Sequence, residues 1–121
     1  MKNIIAISHI MLPKCNGKAI YFPHKYANLS VEELLFEMIK EGSRNKDIRA
    51  IIIGGSTIFE IPMLSIGDQN IEIVKKELKS LGIKVEYEDT GGNIGRVINI
   101  SAKSKKLLIR KAGKEIIRDL A

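Results

Sequence analysis

Ala50-Ile51-Ile52-Ile53-Gly54-Gly55-Ser56-Thr57 is the stretch that decides the fold. Its apolar run, rich in β-branched isoleucine, enters a glycine doublet, the pattern of a buried strand ending in a tight turn. On both sides the spacing of apolar residues becomes helical. Upstream, Ser30 and Glu33 form a capping box, and Val31, Leu34, Leu35, Met38 and Ile39 follow on one face until Gly42 stops the pattern. Downstream, a second helix opens near Ser65 to Asp68 and runs to Leu81, because Ile71, Val74, Leu78 and Leu81 share a face and Gly82 supplies the cap. A strand between two helices places the chain among the α/β folds.

Further out, Asn3 to Leu12 is an almost continuous apolar run that suits a strand buried on both faces, and Pro13 ends it. Residues 14–28 hold no sustained period and read as a long, irregular loop. After the second helix, Ile83 to Tyr87 alternates, Gly91-Gly92 turns, and Arg96 to Ile100 alternates again. Leu107 to Ile109 closes the set before a mixed carboxyl-terminal tail. The expected order is β-α-β-α-β-β-β: an α+β arrangement in which a mixed sheet is covered mainly on one side by two helices. The 121 residues suit one domain over 1–121, without repeat or linker.

Composition narrows the function. The residues are 45% hydrophobic and 28% charged, enough for a packed core and too apolar for a disordered chain. The first residues read as neither signal peptide nor anchor, and the lone Cys15 cannot make an internal disulfide, so a cytoplasmic chain without membrane insertion is expected. The net charge of +6 collects late, at Lys103, Lys105, Lys106, Arg110, Lys111, Lys114 and Arg118. An acidic partner fits that excess. Nucleic acid is the obvious candidate, yet only 5% of residues are aromatic and no helix-turn-helix, zinc or RNA-binding motif accompanies the charges, so a solvated basic face and no nucleic-acid site is the expectation.

Polar residues inside apolar or glycine-rich stretches are the candidates for chemistry. On a strand, His9 points with Ile7 and Met11 to one face, and Ser8 with Ala6 and Ile10 to the other. From pattern alone, a hydrogen-bonded core histidine is the more ordinary role for His9. His9, His24 and Cys15 match no zinc spacing, so neither metal nor cofactor is expected. Gly54-Gly55-Ser56-Thr57 lacks the lysine of a phosphate loop, and Gly91-Gly92-Asn93-Ile94-Gly95-Arg96 precedes a strand where a dinucleotide fingerprint needs a helix. Either can offer backbone amides to a developing oxyanion.

Five segments in order resemble one family: Ser8-His9-Ile10-Met11-Leu12-Pro13, Lys25-Tyr26-Ala27-Asn28, Gly54-Gly55-Ser56-Thr57-Ile58-Phe59, Ile66-Gly67-Asp68-Gln69-Asn70, and Glu88 to Arg96. From about Ala6 to Lys111 the sequence resembles CheD, the chemoreceptor glutamine deamidases of bacterial and archaeal chemotaxis. The resemblance implies a protein-glutamine glutaminase that turns glutamines of methyl-accepting chemotaxis receptors into glutamates, with the CheC phosphatase as a further partner. It makes His9 the histidine that activates a cysteine thiol and protonates departing ammonia, and gives Gly54, Gly55, Ser56, Asn70, Gly91, Gly92 and Gly95 a site-shaping or substrate-binding role.

The family's nucleophilic cysteine belongs to strands that precede this histidine, and these 121 residues do not contain them. Cys15, six residues after His9, matches no family motif for a nucleophile. An upstream segment carrying the cysteine is therefore one expectation, and a binding module without turnover, docking on receptors or CheC, is the alternative.

Overall fold

A computed structural model describes residues 4–14, 22–57 and 65–120. Its elements are α1 (Ala27–Lys40), β1 (Arg49–Gly54), α2 (Ile66–Ser80), β2 (Lys84–Thr90), β3 (Val97–Ser101), β4 (Lys106–Lys111) and β5 (Lys114–Asp119), with short 3-10 turns at Pro23–Lys25 and Asn45–Asp47. The α+β class stands as expected. The strands fall into two sheets: a parallel pair, β1–β2, and an antiparallel trio in the order β3–β4–β5.

Both helices end as their glycines dictate. Gly42 and Gly82 adopt positive φ, Gly42 donates to Ile39 and Gly82 to Lys79, and the next residues, Ser43 and Ile83, reach back to Met38 and Leu78. This paired closure satisfies the orphaned carbonyls of the last turn. At α2 it also drives Ile83 beside Leu78, which joins Ala27, Val31, Ile48 and Val74 in the buried core between α1, α2 and β1–β2. The β1–α2–β2 unit needs α2 as a crossover, because parallel neighbours cannot be joined by a tight turn.

Four expectations need correction. Residues 4–11 form no regular strand; their exposure alternates, with Ile7, His9 and Met11 exposed and Ser8, Ile10 and Leu12 half-buried, and only Leu12 pairs, as an isolated bridge to Tyr26. A strand requires a neighbour for its ladder, and among the described residues this segment has one only at its end. Nor is it buried on both faces. The first helix begins at Ala27, inside the expected loop, because Tyr26 is fixed by that bridge and its carbonyl accepts from Leu29 and Ser30. Ser30 is consequently an interior helical residue, fully buried, and caps nothing.

The fourth correction is β5, which forms where the sequence leads one to expect a mixed tail. Lys111 and Lys114 close a hairpin around Ala112-Gly113, both at positive φ, the two-residue turn whose twist suits antiparallel strands. Central β4 buries Leu107 and Ile109, and β5 flanks it with Arg118 and Ile116. The Arg118 guanidinium stands 3.9 Å from the Tyr87 ring centroid, so β5 also touches β2. Alanine disfavours the left-handed region that asparagine tolerates. Ala112→Asn is expected to raise stability by about 0.5–1 kcal/mol, read from the urea midpoint.

Candidate active site

The carboxyl ends of parallel strands leave a crevice where their loops diverge. Here β1 ends at Gly54, opposite Thr90 of β2, and a cleft of about 630 Å³ opens beside it. Its lining includes His9 with Ile7 and Met11, then Gly54, Gly55 and Ser56, Gly67 and Asn70 of α2, and Arg96. The ladder continues past the strands: Gly91 donates to Gly54 at 2.8 Å and Thr57 to Gly92 at 2.9 Å. Each glycine doublet thereby holds the other in place.

Two glycines are required by contact. A methyl group at Gly55 would stand 2.5 Å from the Ile71 side chain, and Gly55 has φ of 67°. One at Gly67 would overlap the Gly55 carbonyl oxygen and lie 2.7 Å from its carbon, so backbone would have to move. The first turn of α2 is thus seated directly on the β1 loop. Gly67→Ala is expected to destabilise the protein by about 1–3 kcal/mol through overpacking, a loss checked by urea unfolding.

Ser8 and His9 both line the cleft, and the ties of the Ser8 hydroxyl orient the segment that carries them. The Ser8 hydroxyl contacts the Ser30 hydroxyl on α1 and donates to the His24 carbonyl oxygen at 3.2 Å, while Met11 and Leu12 donate to the carbonyl of Lys25. These ties fix the segment's rotation, and alternation then turns His9 outward with Ile7 and Met11, as its sequence position suggested. An exposed His9 is not the satisfied core histidine that pattern alone favoured.

Sequence reasoning missed the buried charges at the cleft wall. Arg96, with its side chain 4% exposed, donates to Asp89 Oδ1 at 3.1 Å and to the carbonyl oxygens of Gly91 at 2.8 Å and Ile94 at 3.2 Å. Lys111 of β4 reaches the same Asp89 oxygen at 3.1 Å. Burial by itself pushes the Asp89 carboxyl up, but the hydrogen bonds and charges of Arg96 and Lys111 outweigh it and hold the group below its ordinary value. One carboxylate therefore ties β2, the Gly91–Arg96 turn and the antiparallel sheet together. The signal was present as acid and base flanking a glycine doublet, but nothing local distinguishes it from surface charge.

Of the expected site residues, His9, Gly54, Gly55, Ser56 and Asn70 meet in the cleft. Gly91 and Gly92 buttress it from behind, and Gly95 is exposed in the turn without lining it. Cys15 lies outside the described residues. Among the described residues no group of three acidic, cysteine or histidine side chains is placed to hold a metal, and no helix is long and apolar enough to cross a membrane.

A family model described as CheD chemotactic sensory transduction matches residues 11–111. The chain belongs to the CheD family. It is 44% identical over 108 residues to a protein of Thermotoga maritima named chemoreceptor glutamine deamidase CheD, covering 89% of this chain and 68% of that one. It is 42% identical over 117 residues to a Methanococcus vannielii protein named probable chemoreceptor glutamine deamidase CheD, covering 95% and 75%. A protein of the same name from Oceanobacillus iheyensis is 35% identical over 122 residues, covering 96% and 74%. The CheD match ends at Lys111, the residue that reaches Asp89, and β5 lies beyond it. It begins at Met11, two residues after His9.

Proposed function

We propose that this CheD chain acts as a chemoreceptor glutamine deamidase, hydrolysing glutamine carboxamides of receptors to glutamates. The observation that carries the reading is the meeting of His9 with Gly54 to Ser56 and Asn70 in one cleft, in a chain 44% identical to a protein named for that activity. A cysteine thiolate adds to the carboxamide carbon, and the carbon–nitrogen bond breaks as His9 passes a proton to the leaving ammonia. Water then hydrolyses the thioester to carboxylate and restores the thiol. Backbone amides of the glycine-rich loops are suited to the oxyanion of the tetrahedral intermediate. The thiolate comes either from Cys15 or from a segment preceding the histidine, as the family resemblance implies.

The same reading makes residues 1–121 a single working domain in the cytoplasm, acting on the receptors' cytoplasmic part, with CheC as a further partner. Peptide mass spectrometry of a purified receptor cytoplasmic fragment, incubated with this chain, tests it directly. Conversion of glutamine to glutamate that disappears in Cys15→Ala assigns the nucleophile to Cys15. No conversion by the chain, followed by conversion once a cysteine-bearing segment is placed before Met1, assigns it upstream. No conversion in either form sinks the deamidase reading.

A further inference from the structure

Three buried side-chain atoms lack a hydrogen-bond partner among the described residues: Asn70 Oδ1, Arg96 Nε and Asp89 Oδ2. An unpaired buried donor or acceptor forfeits its hydration without return, so native structures keep few of them and each calls for an explanation. Two of the three belong to residues on the wall of the His9 cleft, and they are complementary in kind. Asn70 Oδ1 is an acceptor, whereas Arg96 Nε–H is a donor. Arg96 cannot readily turn this donor elsewhere. Its other guanidinium nitrogens are committed to Asp89, Gly91 and Ile94, and its side chain is 4% exposed.

We propose that Asn70 and Arg96 recognise the substrate's carboxamide, Asn70 Oδ1 accepting from its NH₂ and Arg96 Nε–H donating to its carbonyl oxygen. This assignment rests on the deamidase reading of the cleft. A primary carboxamide offers one donor group and one acceptor group on the same carbon, the pair these two residues lack. The glutamate product offers acceptors alone, so its carboxylate would set an oxygen against Asn70 Oδ1. A site built around a substrate N–H rejects the analogue without it far more sharply than an apolar pocket rejects a methylene. Asn70 would therefore favour substrate over product, and Arg96 would orient the carbonyl carbon toward the attacking sulfur.

Paired receptor peptides, identical except for glutamine or glutamate at the modified position, test the assignment by equilibrium binding. His9→Ala is the background, so that neither peptide turns over. The glutamine peptide is expected to bind about tenfold or more tightly than the glutamate peptide. Asn70→Leu and Arg96→Lys are expected to bring the two within about threefold, and Asn70→Asp, which keeps an acceptor, to restore the preference. Arg96→Lys retains the charge opposite Asp89, and Asn70→Leu leaves that pair untouched, so a folding defect in one leaves the other informative. An unchanged preference in both variants overturns the assignment, as does failure of the glutamine peptide to bind at millimolar concentration. A preference that behaves as expected in a chain without turnover counts against the deamidase chemistry alone. Turnover without any preference counts against Asn70 and Arg96 alone.

Discussion

His9→Ala is expected to slow glutamine deamidation by roughly two to four orders of magnitude, the usual worth of a placed general acid–base. On the proposed role, the nucleophile would lose its proton acceptor and the departing nitrogen its proton donor. The same substitution should leave stability within about 0.5 kcal/mol, because the side chain is exposed. Rates from mass spectrometry of a receptor fragment, set beside urea unfolding of the same sample, check both halves. A variant that deamidates at the parent rate removes His9 from the chemistry. One that unfolds early assigns it a packing role instead.

The second large effect is on stability. Asp89→Asn is expected to cost about 3–5 kcal/mol, since it strands the Arg96 guanidinium without its counter-charge. A surface ion pair would be worth under about 1 kcal/mol, but Arg96 is 4% exposed and Asp89 13%. The amide still accepts from Arg96, so a loss well under 1 kcal/mol would show that hydrogen bonding, not charge, holds the network. The pH dependence gives an independent reading. The folded Asp89 carboxyl lies below its unfolded value of about 4, so its contribution is fully present above that pH. It fades as pH falls through the lower, folded value, because the unfolded chain binds the proton first. Asp89→Asn should remove that part of the acid loss, read as a flatter stability curve below about pH 4.

Where apolar spacing was regular and glycine marked the stop, the sequence was a sufficient guide. Helix α2 and strand β1 came out nearly to the residue, since periodicity and closure there agree with packing. The capping signal at Ser30 failed for a tertiary reason: the Leu12–Tyr26 bridge and the turn at Pro23–Lys25 start the helix earlier. Ile4 to Met11 had the composition of a strand, but composition supplies no hydrogen-bonding neighbour. Strand β5 was overlooked because Ile116 and Ile117 stand among charges, and its pairing depends on the Ala112-Gly113 turn.

At the site, the glycine doublets were legible because tight turns leave a local trace. His9 was legible as a titratable ring in an apolar run, although its exposure was not. Arg96 and Asp89 were opaque, because their meaning comes from burial and from Lys111 arriving on another sheet.

The His9 segment has one further property, set by how it is tied. Its backbone bonds outside regular elements gather at one end, where Met11 and Leu12 meet Lys25 and Leu12 meets Ala27; farther back, the Ser8 hydroxyl meets α1 and His24. Among the described residues, local opening breaks those few hydrogen bonds and lifts Ile10 from the core, whereas release of Gly54 or Asn70 must disrupt a ladder or a helix. The proposed proton carrier is thus expected to ride on a part of the cleft with a smaller free-energy gap between closed and open than the glycine wall has. Amide exchange would register that gap as a hinge at residues 11 and 12, with the glycine wall opposite it standing still.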